Sequence, residues 1–225
     1  MNEIARSLNR IQNALHTTAK RVGRPSREII LVGASKRVSA ERIEEAAESG
    51  LRTFGENRVQ EAYAKFQKTG LRDKIDSLHL IGPLQTNKVK RAVGFFDLIH
   101  SLDSVHLAEK IAKEAEKRSL RQAVLVQVNI SGEERKHGVS VKEAPGLVNL
   151  VRRKSHLSLL GLMTIPPYHE DPEQSRPYFS ALRELGGALG LSRFSMGMSA
   201  DFEVAIEEGA TWVRIGTAMF GQREV

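Results

Sequence analysis

The sequence predicts an α/β protein, a single (β/α)8 barrel of the TIM type with an extra N-terminal helix, spanning residues 1–225 as one domain. Short apolar runs rich in β-branched residues alternate with helical patterns along the whole chain, and about eight strand–helix pairs fit into its 225 residues. With 40% hydrophobic residues, the chain can bury one sizeable core. A doubly wound open sheet is the alternative, but this number of repeats favours closure.

The hydrophobic period assigns each element in order. A helix over 2–20 comes first. It contains charged residues and no continuous apolar core, so we predict that it is neither a signal peptide nor a membrane span. Strands are predicted near 28–33, 51–54, 77–81, 98–100, 123–129, 157–163, 193–195 and 211–215. Helical patterns cover 40–49, 57–67, 86–93, 105–118, 142–153, 173–189 and 200–209.

Composition narrows the class of protein. The chain has no cysteine, which excludes disulfides and is compatible with the cytoplasm, the predicted location. The net charge is +7, but the basic residues are dispersed among acids and aromatic residues make up only 5%. We therefore expect a solvated basic surface that helps to attract a small anion, rather than a nucleic-acid site. The seven histidines show no metal-ligand spacing such as H-E-x-x-H, so no metal site is expected.

Lys36 lies just past the apolar run 29–32, the core of the first predicted strand. The carboxyl ends of barrel strands face a shared site, so this lysine points toward the place where such folds put their chemistry. A partly desolvated lysine can lose its proton and attack an aldehyde as an amine nucleophile. The alternative is a solvated lysine in a loop, which is the better interpretation for an arbitrary lysine.

The ends of the last two predicted strands indicate a phosphate site. In many barrels the loops after strands seven and eight bind phosphate at a helix N-terminus. Ser199 is placed as an N-cap before the helical pattern 200–209, Gly216 allows close approach of the backbone, and Thr217 adds a hydroxyl. An ordinary cap and a packing glycine are the alternatives for each residue alone.

Arg214 ends the last predicted strand. A surface salt bridge is the common role of such an arginine. The functional alternative is contact with a ring nitrogen of a ligand, which a permanently protonated guanidinium would keep unprotonated. A lysine amine, a phosphate site and an arginine at one barrel mouth suggest pyridoxal 5′-phosphate (PLP) as the cofactor.

Several stretches together resemble one known family. They are VGASK, FGENRVQEA, LHLIGPLQTNKVK, HSLDS, VLVQVNIS, GLMTI and SMGMSADFEVAIEEGATWVRIGTAMFG, which cover nearly the whole chain. With them the chain is similar to the pyridoxal phosphate homeostasis protein family, which in turn resembles the barrel domain of alanine racemase. The sequence departs from the family pattern at Arg58, where tyrosine is frequent, and in KHGV at 136–139.

The resemblance implies a set of cofactor-binding residues. Lys36 would hold PLP as a Schiff base, Arg214 would face the pyridine nitrogen, and the phosphate would be held by Ser199, Gly216 and Thr217. Three further positions, Asn57, His79 and Met163, match residues that line the family's pocket. From the residues alone, His79 is equally well explained as a satisfied buried histidine, and Met163 as a core residue. Trp212 is expected to fill the core, and Lys136 to be a solvated loop residue.

The resemblance further implies a regulator or carrier that serves intracellular PLP homeostasis and indirectly affects amino-acid and keto-acid pools. The alternative is a PLP-dependent amino-acid racemase or a related weak PLP enzyme. Racemisation needs two positioned bases, and related racemases take the second from an additional domain for which we expect no room here. We therefore predict no catalytic residue. Apo PLP-dependent enzymes are possible partners, and a monomer without membrane association is expected.

Overall fold

A computed structural model describes residues 2–67 and 69–221 and contains the predicted closed barrel. The strands are β1 (Ile30–Ala34), β2 (Thr53–Glu56), β3 (Ser77–Leu80), β4 (Leu98–Leu102), β5 (Gln122–Asn129), β6 (Val139–Ser140), β7 (Leu157–Met163), β8 (Phe194–Ser195) and β9 (Trp212–Ile215). All of these except β6 form the barrel, in chain order and with parallel neighbours. The pairing of β9 with β1 and of β4 with β5 closes the sheet.

A helix lies in every connection between consecutive barrel strands, as the alternating pattern predicts. The helices are α1 (Glu3–Arg21), α2 (Ala40–Glu48), α3 (Val59–Ala62), α4 (Val89–Ala92), α5 (Val105–Lys117), α6 (Ala144–Arg152), α7 (Arg176–Ala188), α8 (Phe202–Glu207) and α9 (Thr217–Phe220). The order confirms the predicted (β/α)8 barrel with an extra helix, α1, in front of it.

Side-chain caps set where several helices begin. The Asn2 side-chain oxygen accepts the backbone N–H of Ala5 at 2.8 Å, at the start of α1. The Ser104 hydroxyl accepts the N–H of Leu107 at 3.3 Å, at the start of α5. Each bond satisfies an N–H group that the first helical turn leaves without an intrahelical partner.

The barrel interior contains a small apolar cluster contributed by several strands. Its members are Val32, Ile81, Leu98, Leu125, Met163 and Trp212, which we call the interior cluster. Trp212 is 3% exposed, so its predicted core role is confirmed. Side chains two residues apart share a face of a strand. His100 therefore follows Leu98, and Arg214 follows Trp212, one layer closer to the mouth.

A larger core lies between the outer face of the barrel and the helices. Ile43 on α2, Ile111 on α5, Val148 on α6 and Phe179 on α7 are all fully buried in it. Burying one such side chain stabilises the fold by about 1.5–3 kcal/mol relative to leaving it exposed. The helices are thus held mainly by these apolar faces, which fixes the scaffold that positions the mouth.

The extra helix packs on the outside of the barrel. Its buried residues Ile4, Leu8, Ile11 and Leu15 recur at helical spacing and face α2, α8 and α9. Just after the helix, the Arg24 guanidinium donates to two backbone carbonyls at the end of α8 and in the turn after it, at 2.7 and 2.9 Å. The helix therefore buttresses α8 and α9, the two short helices that flank the predicted phosphate site.

The structure differs from the predicted elements in several places. The helical pattern over 57–67 is an α-helix only over Val59–Ala62, followed by a wider π-helical turn over Tyr63–Gln67. The pattern over 86–93 begins as a 3-10 turn, and β1 starts at Ile30 because a 3-10 turn occupies Ser26–Glu28. The two-residue strand β6, which pairs with β5, was not predicted.

Candidate cofactor site

Lys36 lies at the carboxyl mouth of the barrel, two residues beyond the end of β1. Its side chain is half-buried and lines a cavity of about 230 Å³ together with Arg42, Gly216 and Thr217. The next residue, Arg37, has a φ of 59°, in the left-handed region that non-glycine residues rarely adopt. The Arg37 N–H donates to the Glu61 carboxylate at 2.5 Å, which holds this turn in place.

A buried ion-pair network supports the segment that precedes Lys36. The Lys65 ammonium donates to the Ser35 carbonyl at 2.7 Å, to Glu56 at 3.1 Å and to Glu61 at 2.6 Å. The Ser35 hydroxyl donates to the same Glu56 oxygen at 2.7 Å. Glu56 is fully buried, and burial raises the pKa of its carboxyl although Lys65 opposes the shift. The network anchors the peptide that joins β1 to Lys36.

The predicted role of Ser199 as an N-cap of the helix after β8 is wrong. That helix, α8, begins after Asp201, whose carboxylate instead accepts the N–H of Met198 at 2.7 Å and so occupies the turn. The Ser199 hydroxyl accepts the N–H of Ala218 at 3.3 Å, within the first turn of α9. The structure thus brings Ser199 beside the first turn of α9 by a contact with that helix, not by capping the helix that follows Ser199 in sequence.

Gly216 leads from β9 into α9 at a narrow point. A Cβ added there would lie 3.3 Å from the Ala34 carbonyl oxygen and 3.5 Å from the Ala34 Cβ. A side chain at this position would therefore crowd the end of β1 and the wall of the cavity that Lys36 lines. Glycine leaves room for a ligand to approach the backbone at the start of α9, as an anion site requires.

Arg214 is 4% exposed, so the surface salt bridge considered for it is wrong. Its guanidinium donates to the Ser195 hydroxyl at 2.5 Å and to the Thr164 carbonyl at 3.0 Å. Burial lowers the pKa of Arg214 to about 10, with Asp201 opposing the shift, so the side chain stays protonated at neutral pH. Two of the five N–H donors of a guanidinium are used by these bonds.

The other predicted pocket residues lie at different depths. Asn57 is half-buried just beyond β2, and its backbone touches Gly82, where an added Cβ would lie 2.4 Å from the Asn57 carbonyl oxygen. Met163 is a fully buried member of the interior cluster. His79 lies in the barrel interior, hydrogen-bonded rather than facing open space. A cofactor role for these three residues stays a prediction.

The two residues at the predicted rim differ in exposure, and the ammonium nitrogen of Lys136 is buried, so the solvated loop position expected for it is wrong. Arg58 is exposed. Lys136 pairs with Glu133 at 2.9 Å and is about one quarter exposed.

Within the part of the chain that the structure describes, no cluster of His, Asp or Glu could hold a metal ion. In the same residues, no helix has the length and apolar character that a membrane crossing requires.

Sequence reasoning missed three residues that support the site: Lys65, His100 and Ser195. His100 and Ser195 hydrogen-bond to each other in the barrel interior at 2.8 Å. The period-2 alternation from Leu98 could have placed His100 inside the barrel. No local signal pairs Lys65 with Glu56, because the wider turn over Tyr63–Gln67 brings them together.

The closed barrel, with a lysine at its carboxyl mouth, defines a protein of the alanine racemase N-terminal domain class. Comparison with known proteins agrees with this class. The chain matches the family model for the alanine racemase N-terminal domain over residues 7–224. An alanine racemase of Clostridium difficile 630 shares the fold, with a TM-score of 0.74 at 14% identity over 96% of this chain and 57% of the racemase chain.

Closer relatives identify the family. A pyridoxal phosphate homeostasis protein of Aquifex aeolicus (strain VF5) is 49% identical, over 98% of this chain and 97% of that protein. The protein of that name from Escherichia coli (strain K12) is 37% identical, over 100% of this chain and 98% of its own length. The structure of PipY from Synechococcus elongatus PCC7942 with PLP bound has a TM-score of 0.83 at 33% identity, covering 97% and 100% of the two chains. This chain belongs to the pyridoxal phosphate homeostasis protein family, which confirms the resemblance.

Proposed function

We propose that this protein binds PLP as a Schiff base on Lys36 and serves intracellular PLP homeostasis as a carrier or regulator. The main observation is that Lys36 lines one cavity of about 230 Å³ with Gly216 and Thr217. An amine and a phosphate site that face one space suit a ligand with both an aldehyde and a phosphate. The names of the relatives and the PLP bound to PipY support the same ligand.

When bound, PLP supplies an aldehyde that condenses with a primary amine and releases water. Lys36 supplies that amine, and the contact of Lys65 with the Ser35 carbonyl holds the peptide before it. In the same cavity, the Thr217 hydroxyl and the backbone N–H groups at the start of α9 would bind the phosphate. The Ser199 bond to the Ala218 N–H is long at 3.3 Å, so a phosphate oxygen can take over that N–H while the hydroxyl turns to donate.

Arg214 favours a carrier over an enzyme. Its guanidinium stays protonated at neutral pH and offers only N–H donors, so beside a pyridine nitrogen it would leave that nitrogen unprotonated. A neutral ring is a weaker electron sink, which disfavours the carbanion chemistry that a racemase needs. We accordingly assign no catalytic residue, and infer a cytoplasmic monomer that passes PLP to apo PLP-dependent enzymes.

A spectral titration tests the binding mode. Wild-type protein mixed with PLP is expected to develop a Schiff-base absorption band that saturates at one PLP per chain. Lys36→Arg keeps the positive charge but lacks the amine chemistry, so it is expected to show no band. Lys117→Ala, an exposed lysine at the end of α5, serves as the matched control and should behave as wild type. A full band in Lys36→Arg would disprove the assignment.

The phosphate site has its own test. Ser199→Ala combined with Thr217→Val removes two hydroxyl donors to a charged group, and we expect PLP to bind about tenfold or more weakly. Pyridoxal, which has no phosphate, should bind the variant and wild type equally. Ser192→Ala, an exposed serine just before β8, controls for serine removal as such. Equal PLP affinity in the variant and wild type would contradict the site.

The carrier role is tested by following PLP from the loaded protein to an apo PLP-dependent enzyme, against free PLP at the same concentration. Transfer that leaves the donor without its absorption band is expected. Incubation with single-enantiomer amino acids followed by chiral analysis tests the racemase alternative. Sustained formation of the opposite enantiomer, lost in Lys36→Arg, would overturn the carrier proposal.

A further inference from the structure

A chain of hydrogen bonds links side chains of four barrel strands, next to members of the interior cluster. The Ser77 hydroxyl lies 2.9 Å from His79 Nε2, and His79 Nδ1 lies 3.0 Å from His100 Nε2. His100 Nδ1 lies 2.8 Å from the Ser195 hydroxyl, which accepts from Arg214 at 2.5 Å. We call these five residues, from β3, β4, β8 and β9, the interior chain. It connects the far wall of the barrel to the arginine at its mouth.

The direction of each bond follows from the donor inventory of the side chains. A guanidinium has no acceptor, so the Ser195 oxygen must accept from Arg214. Ser195 is fully buried, and its own proton is satisfied if it points to His100 Nδ1. His100 then donates from Nε2 to His79, which donates from Nε2 to Ser77. Both imidazoles are neutral in this arrangement, since each accepts at one nitrogen and donates at the other.

Burial supports the neutral state. It lowers the pKa of His79 to about 3, and it lowers the pKa of His100 well below its ordinary value with help from His79 and Arg214. Two polar rings in a barrel interior cost desolvation energy that leucine or phenylalanine would not. We therefore expect His79 and His100 to have a role other than packing.

We propose that His100 is a positioning residue for Arg214, acting through the Ser195 hydroxyl. His100 Nδ1 accepts a hydrogen bond from the Ser195 hydroxyl, and this bond orients the lone pairs of the hydroxyl oxygen toward the guanidinium. The Thr164 carbonyl holds a second guanidinium nitrogen at 3.0 Å, and the Thr164 N–H is itself bound to the Ser195 carbonyl at 3.1 Å. The guanidinium is thereby held at two points. These contacts in the barrel interior determine where the remaining N–H donors of the guanidinium point, and therefore where the cofactor ring would bind. This inference rests on the proposed PLP site.

Two matched variants separate positioning from packing. Asparagine at position 100 can place an amide oxygen where Nδ1 accepts the Ser195 proton, but it does not reach His79. Glutamine can place an amide nitrogen where Nε2 donates to His79, but it offers no acceptor to Ser195. His100→Asn and His100→Gln are both expected to lower the stability of the apo-protein to urea, because each leaves one bond of the chain unmade.

The PLP titration should tell the two apart. We expect His100→Gln to bind PLP about three- to tenfold more weakly, the worth of one hydrogen bond, and His100→Asn to stay within about twofold of wild type. In the apo-protein, the ¹⁵N side-chain resonances of Arg214 should move in His100→Gln and keep their wild-type positions in His100→Asn. If His100 had a purely structural role, the PLP affinity and the Arg214 resonances would change in both variants, in proportion to the stability that each variant loses.

Ser195→Ala keeps the test decisive if a His100 variant does not fold. It removes the same contact with a small change in volume, so it should weaken PLP binding as much as His100→Gln, and the two changes together should cost no more than one. The positioning role fails, and the proposed function stands, if wild type binds PLP on Lys36 and all three variants bind it with wild-type affinity. The same conclusion follows if His100→Asn and His100→Gln weaken PLP binding equally. If wild type binds no PLP, the proposed function fails, and the Arg214 resonances still decide the positioning of the side chain.

Discussion

Mild acid should destabilise this protein through His79 and His100. Both imidazoles are buried and neutral, and their pKa values are lowered chiefly by burial. The unfolded chain takes up a proton on each as the pH falls through the ordinary value of 6.5, whereas folded His79 does so only near 3. The stabilisation is therefore fully present above pH 6.5 and is lost progressively as the pH falls toward 3.

The size of the effect follows from the shift. At pH 5 the unfolded state gains about 2 kcal/mol from protonation of His79 alone, since each pH unit below 6.5 is worth about 1.4 kcal/mol. His100 adds to this loss in the same direction. Native domains have only about 5–15 kcal/mol of stability, so the loss is a large share. Burial raises the pKa values of Glu56 and Asp103, which work in the opposite sense, and both residues remain in the comparison below.

The assay compares wild type with His79→Asn combined with His100→Asn. Urea unfolding at pH 7.5 and pH 5.0 gives a free energy of unfolding for each protein, and only the change between the two pH values is compared. The variant is expected to be less stable at pH 7.5 but to lose at least 2 kcal/mol less than wild type on acidification. Equal losses in both proteins would refute the neutral, buried state of the two histidines.

Two further changes test the scaffold around the mouth. Lys65→Met leaves the Glu56 carboxylate buried without its cation and should lower the free energy of unfolding by about 3–5 kcal/mol near neutral pH. Adding Glu56→Gln to this variant removes the buried charge and should recover most of the lost stability. A variant as stable as wild type would show that the ion pair contributes nothing. Gly82→Ala brings a Cβ to 2.4 Å from the Asn57 carbonyl oxygen and should cost about 1–3 kcal/mol by urea unfolding. Alanine at Gly187, which lies in α7 with open space around it, should instead leave stability unchanged or raise it by up to about 1 kcal/mol.

The barrel was predictable because its signal is periodic. Each strand is a short buried run and each helix has an apolar face, so the count and order of elements are visible in the sequence. The ends of elements were less predictable where distant contacts decide them. The pattern over 57–67 is helical throughout, yet the helix widens after Ala62, where the Tyr63 ring stacks on Phe95 with centroids 4.0 Å apart.

In the candidate site, too, the residues at strand ends were predictable from the sequence, whereas those brought together by distant contacts were not. Lys36, Gly216 and Thr217 follow strand ends, and the structure brings them to one cavity as the sequence pattern predicts. Ser199 reaches the same region by a contact with the backbone of a different helix from the one that it precedes. Residues paired only by the closing of the barrel, such as His79 with His100, come from separate strands, and no local pattern links them.

The central claim is that one lysine holds the cofactor. Borohydride reduction of the PLP-loaded protein, followed by mass mapping of its peptides, tests it most directly. We predict a pyridoxyl adduct on Lys36 at close to one per chain and none on Lys65, whose ammonium donates to the carbonyl of Ser35, the residue before Lys36. An adduct on another lysine with Lys36 unmodified would contradict the account.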